Sequence, residues 1–428
     1  MPDNRKQGFL NLPDTIESTP RASMQSPNAI ERWLVRRLLS TLGNPAIMVR
    51  FWDDSKISGR ATATGLPTMT ITDRGTLWHF LTKPTLYFGD AYSAGRIEVE
   101  GDLVRFLEAI YASFPSLYNS GPIARYATNR MLFRRRNTLS GSRHNIHHHY
   151  DLGNAFFRLW LDQEMLYTCA YYPDPALTLE AAQLAKMEHV CRKLQLKPGE
   201  TVVEAGCGWG SLARYMAREY GVKVHAYNIS REQIKHARQR AQEEQLDDRI
   251  EYIEDDYRNI QGNYDVFVSV GMMEHVGKDN LQGFGHIIDR CLSPTGRGLI
   301  HSISQNEPWP MNPWLERRIF PGSYPPTLRE MAAVLEPRNC VVVDVETLRL
   351  HYAQTLEHWL ERFDRHEEEI KSLYDPAFVR AWRLYLSASI ANFTMNKFHD
   401  EQIATLPDVV HAGRGTRYTL VTCLSGIM

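Results

Sequence analysis

Apolar and polar positions in the second half of the chain follow a repeating order, in which short apolar runs are separated by helix-length spacers. A short apolar run bounded by turn residues is typical of a buried strand. Strands that alternate with helices predict an α/β fold, with a mostly parallel sheet, helices on both faces and ligands at the carboxyl ends of the strands. The predicted strands are ETVVEAG (200–206), VKVHAYNIS (222–230), RIEYIEDD (249–256), YDVFVSVG (264–271) and GRGLIHSIS (296–304).

Helical periodicity flanks this region on both sides. Residues 177–196 have apolar positions at helical spacing, which predicts a helix with Leu184, Met187, Cys191 and Leu194 on its inner face. Towards the C-terminus, residues 340–350 and 417–424 are predicted strands. The aromatic-rich residues 355–398 between them are predicted to be a helical insertion that acts as a lid and helps to wall an apolar tunnel.

The first part of the chain has a different pattern, with two helical segments around short strand-like runs. The helix predicted over residues 29–43 places Ile30, Leu34, Leu38 and Leu42 on one face, and a second helix starts near Asp102. The second helix turns Leu103, Leu107, Ile110 and Phe114 inward. The strand-like runs are AIMVRFW (46–52), TMTIT (68–72), TLYFG (85–89) and RIEVEG (96–101). Together these elements predict a small α+β domain.

The resulting domain prediction has four parts. Residues 1–28 are a disordered tail, 29–115 the small α+β domain, 116–145 a basic linker and 146–428 the α/β domain. The linker has six arginines and no acidic residue between positions 116 and 145. It either faces an anionic partner, with phospholipid head groups as the simplest candidate, or is a solvated basic linker.

Composition limits the classes of partner and compartment. The formal charge of -1 gives no global reason to expect nucleic acid. The six cysteines include no C-x-x-C pair, which favours reduced thiols in a cytosolic protein over disulfides or zinc. The first thirty residues lack an apolar signal core, and no segment approaches the ~20 apolar residues that cross a bilayer, so membrane contact is expected to be peripheral. Adjacent histidines in HNIHHHYD (144–151) point in different directions, so no metal site is predicted.

A glycine-rich turn follows the first predicted strand, in VVEAGCGWGSLARYM. Gly206, Gly208 and Gly210 allow the backbone to approach a ligand, and Glu204 precedes the turn. The G-x-G-x-G spacing differs from the dinucleotide G-x-G-x-x-G, and a carboxylate suits a cationic ligand better than a pyrophosphate. The loop resembles that of class I S-adenosylmethionine-dependent methyltransferases, which implies a Rossmann-like fold. A tight turn without a ligand is the alternative.

This resemblance implies further cofactor contacts. Asn228 occupies the end of the second strand, where many such enzymes have an acidic residue for the ribose. The segment EDDYR resembles the adenine-side segment. The additional residues implied in cofactor binding are Tyr167, Thr168, Asn228, Ile229, Gln233, Asp256, Tyr257 and Arg258.

Cys169 lies among tyrosines in YTCAYY, and its residue type alone leaves three roles open: nucleophile, metal ligand or small core residue. Glu274 and His275 in GMMEHVG resemble an acid/base dyad, although neighbours on a strand point apart. We therefore assign chemistry to Glu274 and a structural role to His275. Arg317 and Arg318 in RRIFPGSYPP are either a gate for an anionic lipid head or ordinary surface arginines.

Six motifs in order resemble the cyclopropane fatty acid synthase family and its mycolic acid relatives. They are HHYDLGNAFFRLWLD, YTCAYY, AGCGWGSLA, GMMEHVG, RRIFPGSYPP and HYAQTLEHW. The resemblance covers about two thirds of the chain, from His148 onward. The N-terminal module also resembles the small lipid-binding domain of the long bacterial forms.

The resemblance implies a cyclopropane-fatty-acyl-phospholipid synthase, which adds a methylene from S-adenosylmethionine to the cis double bond of an unsaturated acyl chain. Attack by the alkene leaves a carbocation, which aromatic faces stabilise. A bound bicarbonate ion then removes a proton from the new methyl group. The residues implied to hold it are Cys169, Glu274, His301, the backbone of Ile303, and Tyr352.

The family also implies a homodimer in the cytoplasm, associated peripherally with the inner face of the membrane. Two alternatives stay open. One is a related C-methyltransferase that forms a methyl- or methylene-branched lipid or uses a non-lipid alkene. The other is a non-catalytic lipid-binding protein with the same fold.

Overall fold

The computed structural model describes residues 25–60, 65–113, 152–336, 340–395, 398–404 and 417–419, with side chains as far as Met395. The predicted linker and the HNIHHHYD stretch lie outside the described residues, as do most of the predicted tail, Phe114 and residues 420–424. The chain divides into two compact units. The first contains the described residues before position 114 together with Pro310–Pro321 and the chain from Leu356 to Met395, and the second contains the remainder.

The first unit begins with a helix and a small mixed sheet. The sheet has the order β2-β1-β3-β4, with β1 and β3 parallel and the two outer pairs antiparallel. The elements are α1 (Ala29–Thr41), β1 (Met48–Arg50), β2 (Lys56–Ser58), β3 (Thr68–Ile71), α2 (Arg74–Thr82), α3 (Pro84–Ser93), β4 (Ile97–Glu100) and α4 (Leu103–Tyr111).

The run TLYFG was predicted as a strand and is instead part of α3. Pro84 occupies the first turn of this helix, where its fixed φ suits a helical start and its missing N–H costs no hydrogen bond. Gly89 is buried, and a Cβ at this position would lie 2.4 Å from the Trp314 ring. The apolar run therefore packs as a helix against a large side chain.

The inner face predicted for α1 was also wrong. The buried row is Glu31, Val35 and Leu39, whereas Ile30 is 64% exposed. Glu31 is buried because it has partners: its carboxylate accepts a hydrogen bond from the Asn28 backbone N–H at 2.8 Å and pairs with the Arg74 guanidinium at 2.9 Å. These contacts rotate the helix away from the face that hydrophobicity alone predicted.

The second unit contains the α/β domain. Its elements as far as the end of the long strand are α5 (Asn154–Arg158), α6 (Leu179–Leu194), β5 (Thr201–Ala205), α7 (Ser211–Tyr220), β6 (Lys223–Asn228), α8 (Arg231–Glu243), β7 (Ile250–Glu254), β8 (Tyr264–Val270), α9 (Met273–Val276), α10 (Leu281–Cys291) and β9 (Leu292–Gln305). The later elements of the chain are α11 (Pro313–Arg318), α12 (Leu328–Leu335), β10 (Cys340–Val342), β11 (Asp344–Thr347), α13 (Arg349–Arg365), α14 (Glu367–Leu373), α15 (Pro376–Thr394), β12 (Phe398–Ala404) and β13 (Arg417–Thr419).

The sheet of the second unit runs in the order β10-β13-β9-β8-β5-β6-β7, and all of these pairs are parallel. Strand β12 pairs antiparallel with β9 and with β11. Neighbouring residues of β5 enter different apolar clusters, since Val202 belongs to one and Val203 to the other. Both faces of the sheet are thus covered, and the predicted α/β fold with a mostly parallel sheet is confirmed.

Within α6, Met187, Cys191 and Leu194 are buried as predicted, but Leu184 is 50% exposed. The inner face instead includes Gln183 and Lys186, which are both 1% exposed. Two polar side chains on the buried face of a helix require partners. Those partners belong to the functional site.

The predicted helical segment after residue 355 is helical as far as it is described, through most of α13 and all of α14 and α15. These residues group with the first unit, where α15 contacts α3 and α4. The Arg380 guanidinium lies 4.4 Å from the centre of the Tyr92 ring. Arg318, considered as a gate for a lipid head, instead makes two hydrogen bonds to the buried Asp90 carboxylate, at 2.9 and 2.8 Å.

Candidate functional site

The turn between β5 and α7 has a backbone that requires glycine. Gly206, Gly208 and Gly210 have φ values of +87°, +54° and +81°, in the left-handed region that other residues rarely adopt. A Cβ on Gly206 would lie 2.9 Å from the Met272 side chain, and one on Gly210 would lie 2.5 Å from the Tyr252 hydroxyl. The turn is therefore closely packed at Gly206 and Gly210, whereas Gly208 has open space beside it and lines a cavity.

This cavity lies at the carboxyl end of β5 and encloses about 780 Å³ of space, part of it open to solvent. Its wall includes four of the predicted cofactor residues from the turn and the second strand, together with Tyr167 and Thr168. Gln233 from α8 is a further predicted residue of the wall, and the other eleven wall residues were not predicted. The wall includes Tyr167, Thr168, Lys186, Glu204, Gly206, Gly208, Asn228, Gln233, Gly271, Met272 and His275.

Glu204 is the acidic group of this cavity and is only 3% exposed. Its Oε2 atom has no hydrogen-bond partner among the described residues. Burial raises the pKa of Glu204 to about 8, although the positive charges of Lys186 and Arg214 act in the opposite direction. A buried carboxyl with an unused oxygen is suited to a positively charged ligand, which would restore its ionised form.

A second cavity continues from the first along the ends of β6 and β7. It shares Gly206, Asn228, Met272 and His275 with the first cavity and adds the predicted residues Ile229, Asp256 and Tyr257. The Asn228 amide donates to the Gln233 side chain at 2.7 Å, which holds both residues in the wall.

Gly210 and Arg258 do not line either cavity. The Arg258 guanidinium instead donates two hydrogen bonds to the Asp256 carboxylate, at 2.7 and 2.8 Å. In this position Arg258 orients Asp256.

Cys169 and Tyr352 meet at one backbone carbonyl. The Cys169 thiol is 1% exposed and lies 3.8 Å from the Leu348 oxygen, which also accepts the Tyr352 backbone N–H at 3.0 Å. The next residue, Ala170, donates its N–H to the Thr355 hydroxyl at 3.0 Å. The start of α13 therefore holds the chain around Cys169.

Glu274 and the backbone of Ile303 form a second group. The Ser302 hydroxyl, which sequence reasoning missed, lies 2.8 Å from Glu274 Oε2 and 3.1 Å from the Ile303 carbonyl oxygen. Glu274 is 6% exposed and His301 is 2% exposed. Because serine follows His301 directly on β9, its side chain points to the other side of the strand and can reach Glu274.

Thr168 and Gly271 connect the two groups. A Cβ on Gly271 would lie 2.6 Å from Thr168 Cγ2, so the two residues are in close contact. The Gly271 N–H donates to the His301 carbonyl at 2.8 Å, and Thr168 directly precedes Cys169. Cys169 and the His301 carbonyl thus adjoin the junction of Thr168 and Gly271, and both junction residues line the cofactor cavity.

His275 is placed differently from its sequence interpretation. The GMMEHVG segment contains the short helix α9, so Glu274 and His275 are neighbours on a helix and not on a strand. His275 lines both cavities, its Nδ1 atom lies 2.9 Å from the Ser323 hydroxyl, and burial lowers its pKa to about 4. A neutral imidazole in the wall does not repel a positively charged ligand.

Aromatic residues surround the same region. Phe157, Trp160, Tyr167 and Trp209 pack together, and the ring centres of Phe157 and Trp209 are 5.1 Å apart. Tyr171 stacks on His189 at 4.1 Å. Among the residues with described side chains, no three His, Cys, Asp or Glu residues are grouped as a metal site would require. No described helix combines the length and apolar composition needed to span a bilayer.

Family comparison agrees with this geometry. A family model for mycolic acid cyclopropane synthetase matches residues 138–403, and a domain of unknown function matches residues 34–121. A probable fatty acid methyltransferase of Pseudomonas putida is 36% identical over 332 residues, covering 76% of this chain and 83% of that protein. The cyclopropane-fatty-acyl-phospholipid synthase of Escherichia coli K12 is 43% identical over 246 residues, covering 57% of this chain and 63% of that enzyme. The match thus spans less than two thirds of the E. coli enzyme.

Solved structures give the same result. The cyclopropane synthase MmaA2 from Mycobacterium tuberculosis has a TM-score of 0.59 and 28% identity, covering 61% of this chain and 97% of that one. The mycolic acid cyclopropane synthase CmaA1, complexed with SAH and CTAB, has a TM-score of 0.59, 27% identity and the same coverage. With the glycine turn, the buried Glu204 and the matched motifs, these comparisons establish an S-adenosylmethionine-dependent methyltransferase of the cyclopropane synthase type. The chain belongs to the mycolic acid cyclopropane synthetase family.

Proposed function

We propose that this protein is a cyclopropane-fatty-acyl-phospholipid synthase, which adds a methylene to the cis double bond of an unsaturated acyl chain in a membrane phospholipid. The observation that carries the proposal is the junction of Thr168 and Gly271 in the wall of the cofactor cavity, because Cys169 follows Thr168 in the chain and the Gly271 N–H donates to the His301 carbonyl. The E. coli relative, whose name states this activity, is 43% identical over the matched segment.

The residues of the first cavity fit S-adenosylmethionine, which supplies an electrophilic methyl group when bound. Glu204 offers an unused carboxylate oxygen to a cation, and the neutral His275 adds no positive charge of its own. Met165, Leu166 and Met272 add apolar wall. Apolar walls exclude the water that would otherwise compete with a weakly nucleophilic alkene.

The second task is to remove a proton from the newly attached methyl group. We assign it to the set formed by Cys169, Glu274, His301, the Ile303 backbone and Tyr352, which would hold a bicarbonate ion as the base. The set contains a thiol, an imidazole and a phenol as possible donors, and one buried carboxylate. An anion next to Glu274 requires such donors, or a shared proton, to offset the repulsion between like charges.

A second candidate product is an acyclic methylated lipid. It is favoured by the similarity to the probable fatty acid methyltransferase of P. putida and to the tuberculostearic acid methyltransferase UfaA1 of M. tuberculosis, which is 34% identical over 267 residues. Methyl transfer is common to both candidates, and they differ in which proton leaves afterwards. The set around Cys169 favours the cyclopropane.

The test is mass spectrometry of phospholipids from cells that express the protein, with acyl chains compared before and after expression. We expect chains heavier by one methylene at the expense of monounsaturated ones. Because a cyclopropane and an acyclic alkene with the same added carbon are isomers, a reagent that reacts with alkenes must be applied before chromatography. Chains that all react with that reagent would contradict the proposal and favour the acyclic candidate.

We also propose that the protein acts as a homodimer in the cytoplasm, on the inner face of the membrane, with the first unit contributing to lipid binding. The proposal is supported by the substrate class, because a double bond in a bilayer must be reached from its surface. Moving an unprotected acyl chain into water would cost about 0.8 kcal/mol per methylene. A walled apolar route is therefore expected between the membrane surface and the junction.

A further inference from the structure

Lys186 places a buried ammonium group in the wall of a cavity that takes a positively charged cofactor. The side chain extends from α6, is 1% exposed and lines the same cavity as Glu204. Like charges repel strongly where water is excluded, so attraction of the sulfonium does not explain a lysine here. Its role must be sought in what it holds.

The Lys186 ammonium donates a hydrogen bond to the Thr168 hydroxyl at 2.7 Å. One turn earlier on α6, the Gln183 amide nitrogen lies 2.9 Å from the Thr168 carbonyl oxygen and 3.3 Å from that of Leu166. Residues three apart on a helix project from the same face. Gln183 and Lys186, which we call the α6 pair, therefore hold Thr168 by its backbone and its side chain together.

A displacement of Thr168 would be transmitted to the residues proposed for proton removal. Its Cγ2 atom fills the space beside Gly271, where a Cβ would lie only 2.6 Å away. Gly271 has a φ of +67° and is hydrogen bonded to the His301 carbonyl, while Cys169 follows Thr168 in the chain. The position of Thr168 thus sets the separation between the chain carrying Cys169 and the strand carrying His301.

Building on the proposed function, we propose that Lys186 is a positioning residue for proton removal, which acts by holding Thr168 against Gly271. After the methyl carbon has joined one alkene carbon, the other carries the positive charge. When the base takes a proton from the new methyl, the released C–H electron pair closes the ring. When a proton leaves a neighbouring chain carbon instead, the pair forms a C=C bond and the product is an acyclic isomer. Correct placement of the base selects the first outcome.

The test compares Lys186→Met with Thr168→Val. Valine is close to threonine in shape and keeps a methyl for the contact with Gly271, but it lacks the hydroxyl. Both variants are expected to lower kcat about tenfold, to raise the acyclic share of the product severalfold, and to change KM for S-adenosylmethionine less than about threefold. The product is analysed from purified enzyme and phospholipid vesicles with the alkene-specific reagent.

The double variant decides whether the two side chains act together. If Lys186 works through the Thr168 hydroxyl, the double variant is no worse than either single variant, because both remove the same interaction. Thr168→Ser keeps the hydroxyl for Lys186 but loses the methyl group that contacts Gly271, so it should also raise the acyclic share of the product. Lys197→Met, at an exposed position just after α6, should change neither kcat nor the ratio.

Three results would overturn the inference. Multiplying effects in the double variant would show that the two residues act separately. A loss of more than about tenfold in affinity for S-adenosylhomocysteine in Lys186→Met, without a similar loss in Thr168→Val, would make Lys186 a direct cofactor ligand. An unchanged product ratio in Thr168→Val would show that the Thr168 hydroxyl does not influence which product forms, even if Lys186→Met failed to fold. A wild-type enzyme that forms no cyclopropane would instead contradict the proposed function itself, and the proton-removal role with it.

Discussion

At the scale of single residues, Glu204 has a partly unsatisfied carboxyl group deep in the second unit. Burial raises its pKa to about 8, so below this pH the empty site favours the neutral acid. A cation bound beside it favours the carboxylate. Cofactor binding should therefore release a proton below pH 8 and none well above it.

We predict that the affinity for S-adenosylmethionine increases about tenfold per pH unit up to pH 8 and then levels off. Each unit of pH below the pKa of Glu204 lowers the free-energy cost of deprotonating this carboxyl group. Calorimetric titration between pH 6 and 9, in two buffers with different heats of ionisation, measures both the affinity and the proton. Glu204→Gln is the control, since it should bind more weakly and retain only the titration of the cofactor's own amine. Equal pH dependence in both proteins would contradict the prediction.

Glu274 and Tyr352 are assigned to proton removal, so their variants should separate turnover from binding. We expect Glu274→Gln and Tyr352→Phe to lower kcat on the order of a hundredfold, as is typical when general acid–base groups are removed. Cys169→Ser should weaken activity less, because a hydroxyl also donates a hydrogen bond. The affinity for S-adenosylhomocysteine, measured by calorimetry, should stay near the wild-type value. Abolished binding in Glu274→Gln would contradict the assignment.

At the scale of elements, the start of α7 and the first turn of α10 offer a matched pair of glycines. Gly210 has a φ of +81° and lies against Tyr252, whereas the helical Gly283 has no side-chain or distant atom within 4 Å of a Cβ. We predict that Gly210→Ala destabilises the protein by about 1–3 kcal/mol, and that Gly283→Ala stabilises it by up to about 1 kcal/mol. Thermal unfolding of the two variants measures the contrast. A stabilised Gly210→Ala would show that the turn tolerates a side chain.

Elements were predictable where their apolar pattern had one interpretation. The strands β5, β6, β7 and β8 lie within the predicted runs, and β9 contains its predicted run and extends beyond it at both ends. Five apolar segments between helix-length spacers have few alternatives. Predictions were wrong where a polar contact outweighed periodicity, as at α1, or where a short apolar run was compatible with two structures, as at α3. The buried polar pair on α6 is a third example, because nothing in the helical pattern marks Lys186 as buried.

At the scale of the whole molecule, the proposed action on a membrane implies a surface that lipid can contact. The rotation of α1 leaves Ile30 64% and Trp33 56% exposed, on a face that also carries the exposed Arg36 and Arg37. The Arg37 guanidinium lies 6.0 Å from the Trp33 ring centre. Tryptophan beside arginine is suited to the boundary between acyl chains and anionic head groups.

We predict that Trp33→Glu weakens binding to anionic phospholipid vesicles about tenfold or more, because it removes a burial worth about 1.5–3 kcal/mol and adds a repelled charge. Vesicle co-sedimentation at low and high salt measures this. Trp309→Glu, at a 38% exposed position in the second unit, is the control. Activity on detergent-dispersed phospholipid should be unchanged in Trp33→Glu. Equal vesicle binding by all three proteins would contradict a membrane role for this face.

The cofactor loop was predictable from sequence because it is local: strand, glycine turn and helix occupy consecutive residues, and Glu204 directly precedes the turn. The residues proposed for proton transfer are spread from Cys169 to Tyr352, so their assignment depended on motif resemblance. Ser302 and Lys186 carried no motif signal, and His275 was assigned only a structural role. Only their positions relative to β9, Thr168 and the cavities gave them candidate roles.

The sequence by itself determined the order of strands and helices, the class of fold and the chemistry of the glycine turn, because backbone conformation and apolar periodicity act between near neighbours. Tertiary structure alone decided which face of α1 is buried, that the chain from Leu356 to Met395 packs in the first unit, and that Thr168 bridges α6 and Gly271. These features depend on contacts between residues far apart in the chain, where a single buried hydrogen bond or close packing contact selects one arrangement among several that the local pattern allows.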